Sequence, residues 1–206
     1  MKEPTTKYRM KLLRVLSDIK LTRDDLLTLE ADNRQKLYWY VDADLSVHTN
    51  TKIHKGSVFS LGKGMIVADF TKQKFNAIIL TESEFIGVNN RISSILWNRR
   101  FWECQVFKVK VNIIYQDNTS TTKLQKNGKT ISRRRTRHYD IKYFYVTYLI
   151  IRDKVQVIYC PTNDMLGDYM TKPLVGSNFV RFKDLIMNMS KKISPSWPAG
   201  VCWRTS

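Results

Sequence analysis

Residues 38–47 read YWYVDADLSV, and this stretch restricts the fold more tightly than any other. A run of aromatic and β-branched residues with no Gly or Pro inside it predicts a β-strand. Strand side chains alternate faces, so Asp42 and Asp44 point the same way, with Tyr40 and Tyr38 behind them. A carboxylate in a buried strand is costly unless it is paired or binds a metal. The alternative is that Asp44 lies at the strand end in water and Asp42 caps a turn. The rest of the chain has to decide between them.

Chain length allows one ordinary domain with flanking segments, since there are 206 residues of which 43% are hydrophobic and 12% aromatic. No run reaches the ~18 consecutive apolar residues that a membrane span needs. The first twenty residues are basic, with charges throughout their apolar part, unlike a secretory signal. Cys104, Cys160 and Cys202 are far apart and odd in number, which argues against a disulfide framework and a cysteine zinc site. A reducing, intracellular setting, cytoplasm or nucleus, is expected. The formal charge of +17 points to a polyanionic partner, nucleic acid first and an anionic membrane surface second. No strongly amphipathic basic helix supports the membrane option, so no membrane partner is expected.

Periodicity orders the elements. Helical spacing runs over Tyr8–Ile19, and the first strand covers roughly Leu37–Val47. Strands are expected at Ser57–Leu61 and Met65–Phe70, joined by a tight hairpin at LGKG. The longest helix is Thr81 to about Glu103, with Thr81 and Glu84 at capping-box spacing. A strand at Lys108–Tyr115 leads into Gln116-Asp117-Asn118 and a short polar helix. Tyr139–Ile151 reads as a helix after a basic loop, and Val155–Tyr159 as a strand. Asn163 or Asp164 would cap a helix through about Thr171, stopped before Pro173, and a last helix covers Asn178–Met189. The tail after it has Pro, Gly and no periodicity, and is expected to be poorly ordered. Three consecutive strands followed by βα crossovers give a mixed five-stranded α/β sheet flanked by helices.

Four acids occupy telling places in that order. Asp42 lies inside the first strand, Glu84 in the first turn of the long helix, Asp117 at the end of the fourth strand, and Asp168 in the helix after the fifth. Ligands of open α/β sheets gather outside the carboxyl ends of strands. Four carboxylates without Cys or His describe a hard-cation site suited to Mg²⁺ or Mn²⁺. Two such ions about 3.5–4 Å apart serve phosphodiester hydrolysis. Each acid also has a plainer role: Glu84 closing the capping box with Thr81, Asp117 capping the next helix, Asp168 exposed on its helix. Glu82 and Asp44 are expected in outer-shell or solvated positions.

Read in order, KLLRVLSDIKLTRD, WYVDADLSV, FTKQK, LTESEFIGV, IIYQDNTS, RRTRHYDIKYFYV and YCPTNDMLGDYMTKPL form seven blocks at matching spacing. They resemble the C-terminal end of a Copia-type LTR-retrotransposon polyprotein: the tail of reverse transcriptase and its ribonuclease H (RNase H) domain. The resemblance spans roughly residues 3–189. It implies an RNase H-like fold whose two-metal site cuts the RNA strand of an RNA–DNA hybrid. The family's four acids match Asp42, Glu84, Asp117 and Asp168, as catalytic residues and ligands of two Mg²⁺ or Mn²⁺ ions. Arg137, His138 and Asp140 match its basic-His segment, with a structural or substrate-contacting role. The resemblance further implies that residues 1–36 are a helical remnant of the reverse-transcriptase connection, 37–175 the RNase H-like domain, and 176–206 a C-terminal helix and tail. The polymerase part of reverse transcriptase is absent from these blocks and is an expected partner.

The sequence departs from the family pattern in places. Gly167-Asp168 stands where Ala-Asp is usual, and Gly costs about 1 kcal/mol in a helix. Thr119–Thr122 stand where Gln-Ser-Ala and an apolar residue are more common, which weakens the helix expected there. No histidine lies between Tyr159 and Asp168.

For hybrid binding, Arg133, Arg134, Arg135, Arg137, His138, Lys72 and Lys74 are the candidate phosphate contacts, the alternative for residues 133–138 being a solvated loop. His48 and His54 are expected to be solvated or hybrid-facing, and Trp39, Trp97 and Trp102 fit core spacing. Two functions therefore stand side by side: an RNase H-type endoribonuclease, and a catalytically inactive basic nucleic-acid-binding remnant of the same fold.

Overall fold

The computed structural model describes residues 5–44, 54–72, 80–127 and 145–189. In chain order the elements begin with α1 (Thr6–Thr22), β1 (Glu30–Ala31), β2 (Lys36–Asp44), β3 (His54–Ser60), β4 (Gly62–Lys63) and β5 (Val67–Lys72). They continue with α2 (Leu80–Cys104), β6 (Val111–Gln116), α3 (Thr119–Asn127), a helical segment α4 over 145–151, and β7 (Gln156–Tyr159). A 3₁₀ turn (Thr162–Asp164), α5 (Asp168–Thr171) and α6 (Gly176–Met187) complete it.

The main sheet has five strands in the order β5-β3-β2-β6-β7. β2, β3 and β5 pair antiparallel, whereas β2–β6 and β6–β7 are parallel. This is the mixed α/β sheet that the order of elements predicts. It forms because β2 alternates: Leu37, Trp39 and Val41 are buried in one core with Val88, Ile92 and Ile95 of α2. Those α2 positions are four and three residues apart, so they line one helical face. Phe59, Ile114, Val146, Leu149 and Val157 extend the same core from β3, β6, α4 and β7. Tyr38, Tyr40 and Asp42 are left for the opposite face. There Tyr40 and Tyr115 stack at 4.8 Å between ring centroids, beside the carboxyl ends of β2 and β6.

Several expectations are corrected. The β3–β5 connection is no tight hairpin. Gly62 and Lys63 form β4 and pair with β1 in a separate two-stranded sheet. Gly62 (φ +132°) and Gly64 (φ +69°) take backbone conformations that L side chains rarely adopt. The helix expected from Asn163 or Asp164 to Thr171 is broken: Asp164 closes a 3₁₀ turn, and a new helical turn begins at Asp168. Trp97 is 62% exposed and stacks on Phe101, while Trp39 is in the core and Trp102 packs against it. His54 is buried and stacked on Phe70 rather than solvated. His48, the end of the predicted first strand (45–47), residues 139–144 and the tail after 189 lie outside the described residues.

Candidate metal centre

β2 and β6 run parallel with Tyr40 opposite Tyr115. Two residues further along each chain stand Asp42 and Asp117, in phase and on one face by strand alternation. β6 ends at Gln116, whose side-chain amide donates to the Val41 carbonyl across the strand pair at 3.4 Å. Asp117 is therefore the first residue past the strand. It does not cap α3. Asn118 does, its Oδ1 accepting from the backbone N–H groups of Ser120 and Thr121 at 2.9 and 3.1 Å. That cap, with Thr121 and Thr122 buried beneath, sustains α3 despite its run of hydroxyl residues.

Asp168 arrives from above. The turn before α5 lies against β2 and β3, and the missing side chain of Gly56 makes the approach possible. A Cβ on Gly56 would stand 2.6 Å from Met170 Cβ and 2.9 Å from the Gly167 carbonyl oxygen. Gly167 immediately precedes the helix, and a Cβ there would meet Asp42 Cβ at 3.0 Å. Its place is thus one of close approach to the site rather than of lost propensity inside a helix.

Ligand oxygens of Asp42, Asp117 and Asp168 all lie within 4.8 Å of one another. Asp42 and Asp168 are 3% and 2% exposed. Thr171, three residues after Asp168, donates its hydroxyl to Asp42 Oδ2. Lys172, four residues after it, places Nζ 2.8 Å from Asp168 Oδ2 and 3.7 Å from Asp117 Oδ2. Glu84 is not one of the three that come within 4.8 Å, but it is buried close by. Thr81 lies inside α2, so it is no N-cap, and the Glu84 carboxylate instead takes a hydrogen bond from Asn118.

Crowding of acids shows in their titration. Burial first, and then the charges of Asp117 and Asp42, push Glu84 up to about 8, against the Asn118 hydrogen bond. Asp168 is pushed up to about 7, by burial first and by Asp42 and Asp117, with Lys172 opposing. Burial works against the charge on Lys172, but Asp42, Asp168 and Asp117 outweigh it and raise its pKa. Asp168 Oδ1 and Glu84 Oε2 are buried without a hydrogen-bond partner. Orphaned oxygens beside converging carboxylates, with no sulfur or imidazole ligand among them, fit a hard divalent cation.

Sequence reasoning picked out the acids but assigned no role to Thr171 or Lys172. The i+3 and i+4 spacing from Asp168 was the available signal. Of the proposed nucleic-acid contacts, Arg133, Arg134, Arg135, Arg137, His138 and Lys74 lie outside the described residues, and Lys72 is described only as the last residue of β5, opposite His54.

Sheet order, strand directions and flanking helices make the mixed five-stranded α/β fold that the sequence resemblance implies. In sequence the chain is similar to retrovirus-related Pol polyproteins of plant transposons. It is 28% identical over 148 residues to the Pol polyprotein of transposon TNT 1-94 from Nicotiana tabacum, covering 71% of this chain and 11% of that protein. It is 29% identical over 181 residues to that of transposon RE2 from Arabidopsis thaliana, covering 87% of this chain and 12% of the relative. The chain thus spans only a small fraction of these relatives' length. No family model matches it. Similar solved structures include an RNase H1 isolated from compost, with TM-score 0.49, 11% identity, and 66% of this chain and 93% of that one covered. RNase H1 of Halobacterium salinarum NRC-1 gives TM-score 0.45 at 10% identity, with 66% and 94% covered. The prototype foamy virus protease-reverse transcriptase gives TM-score 0.45 at 12% identity, with 71% and 22% covered.

Proposed function

We propose that this chain is the RNase H-type endoribonuclease portion of a Copia-type retrotransposon polyprotein, cleaving the RNA strand of RNA–DNA hybrids with two Mg²⁺ or Mn²⁺ ions. The observation that carries this reading is the meeting of Asp42, Asp117 and Asp168 within 4.8 Å at the carboxyl ends of parallel strands. Buried Glu84 stands beside them, and all four are the acids the family resemblance singles out.

Divalent cations held by these four residues would supply an activated water and neutralise the leaving oxygen of a phosphodiester. The protein's part is positional. Thr171 fixes the rotamer of Asp42, the turn before α5 brings Asp168 over the sheet, and Asn118 orients Glu84. The excess of basic residues holds the sugar–phosphate backbone by salt-sensitive contacts, with Lys72, Lys74, Arg133, Arg134, Arg135, Arg137 and His138 assigned to it.

In the same reading residues 1–36 come from the end of the polymerase region, 37–175 form the nuclease domain and 176–206 its C-terminal helix and tail. The polymerase part of reverse transcriptase is a natural partner, and the setting is intracellular, cytoplasm or nucleus. Among the described residues no helix is long and apolar enough to cross a membrane.

The test is cleavage of a labelled RNA–DNA hybrid in Mg²⁺ by the wild-type chain and by Asp42→Asn. Wild type should cut the RNA strand. Asp42→Asn should bind the hybrid and cut it at least about a hundredfold more slowly, since even groups that only orient a metal ligand contribute 10–100-fold. Equal binding with no cleavage by either protein would establish the inactive-remnant reading instead.

A further inference from the structure

Lys172 reaches into the acidic cluster from the end of α5, pairing with two of the acids that would hold a divalent ion. It follows the last helical residue of α5 in an extended conformation (φ −107°, ψ 142°), its N–H bonded to the Asp168 carbonyl. That geometry folds the side chain back over the turn. Its ammonium then reaches Asp168 Oδ2 at 2.8 Å and Asp117 Oδ2 at 3.7 Å. Those are two of the three carboxylates whose ligand atoms converge. A hard divalent cation binds carboxylate oxygens at roughly 2.0–2.1 Å when it is Mg²⁺-sized, closer than the ammonium now stands. Two cations sharing the same oxygens repel strongly in a partly desolvated site. Lys172 also has an exit: its side chain is 31% exposed, whereas that of Asp168 is only 3% exposed.

We propose that Lys172 is the resident counter-cation of this site, and that divalent-ion loading is an exchange in which its ammonium leaves Asp117 and Asp168. Held there, the ammonium compensates the clustered acids until metal arrives, at the expense of metal affinity. The inference rests on reading the cluster as a divalent-ion site, but not on hybrid cleavage.

Mn²⁺ binding to the full chain, followed by the electron paramagnetic resonance signal of free Mn²⁺, tests it together with melting temperatures in EDTA and in saturating Mn²⁺. Lys172→Met should bind Mn²⁺ about tenfold tighter or more, because a competing charge is gone. It should melt below wild type in EDTA, and that deficit should vanish in saturating Mn²⁺. Lys172→Gln, which keeps a donor without the charge, should behave alike if the Met variant does not fold in EDTA. Lys154→Met, an exposed position just before β7 and at the opposite end of the parallel strands, should leave Mn²⁺ affinity unchanged. Equal or weaker Mn²⁺ binding by the Lys172 variants would overturn the exchange. So would a melting deficit that persists in Mn²⁺, or an equal gain from Lys154→Met. A wild-type chain that binds no Mn²⁺ would overturn both the exchange and the metal-site reading. A chain that shows the exchange but cuts no hybrid would refute only the nuclease function.

Discussion

Asp42 is aimed by a residue 129 positions away, the Thr171 hydroxyl that donates to its Oδ2 inside the protein. Thr171→Val keeps the shape and removes the donor. It should lower Mn²⁺ affinity or hybrid cleavage 10–100-fold, the usual effect of losing a group that orients a metal ligand. Unchanged affinity and cleavage would show that Asp42 needs no such aiming. Glu84 carries a different signature. Its ordinary carboxyl value is 4.5 and the folded site pushes it up to about 8, so between those values the folded state holds a proton that the unfolded chain releases. The folded state is then stabilised at low pH, and this stabilisation is lost as pH rises toward 8. Asp168, pushed from 3.8 to about 7, acts in the same sense. Melting temperatures in EDTA should therefore fall as pH rises from about 5 to about 8, and Glu84→Gln should reduce the accompanying loss of stability by on the order of a few kcal/mol. A Glu84→Gln melting profile parallel to wild type would contradict this.

At the scale of elements, β2 and α2 were legible because their apolar residues repeat with periods that belong to one structure each. Leu37, Trp39 and Val41 alternate; Val88, Ile92 and Ile95 line a helical face. From those elements the places of Asp42 and Glu84 followed. The pair of β1 and β4 was not legible, since two-residue strands joined across distant sequence carry no period. Of α5 the end at Thr171 was legible but the start at Asp168 was not, since this single turn is held by its landing on β2 and β3 rather than by propensity. Thr171 and Lys172 stayed without a role for that reason. Two glycines separate the kinds of constraint. Gly56→Ala puts a Cβ 2.6 Å from Met170 Cβ and 2.9 Å from the Gly167 carbonyl oxygen, so it should destabilise by about 1–3 kcal/mol and lower cleavage as α5 is displaced. Gly87→Ala in α2 meets nothing nearer than Ala43 Cβ at 3.4 Å and should stabilise by up to about 1 kcal/mol. Denaturant unfolding of both variants checks the contrast, and a neutral Gly56→Ala would show that α5 does not depend on this close approach.

Across the whole molecule, the fold's main effect is to assemble acids that are far apart in the chain. Asp42, Glu84, Asp117 and Asp168 come from β2, α2, the end of β6 and α5, and the parallel β2–β6 pairing, the packing of α2 on β2 and the landing of α5 bring them near one another. The chain as a whole carries a formal charge of +17, opposite in sign to this acidic centre. α1 buries none of its residues and leaves Leu12, Leu13, Leu16 and Ile19 exposed, so its helical period was readable while its packing partner was not. Anomalous diffraction from crystals soaked in Mn²⁺ tests the metal site most directly. Density should appear in coordination contact with Asp42, Asp117 and Asp168, and with Lys172 moved off Asp168. No density there, with Lys172 still paired to Asp168 at saturating Mn²⁺, would contradict it.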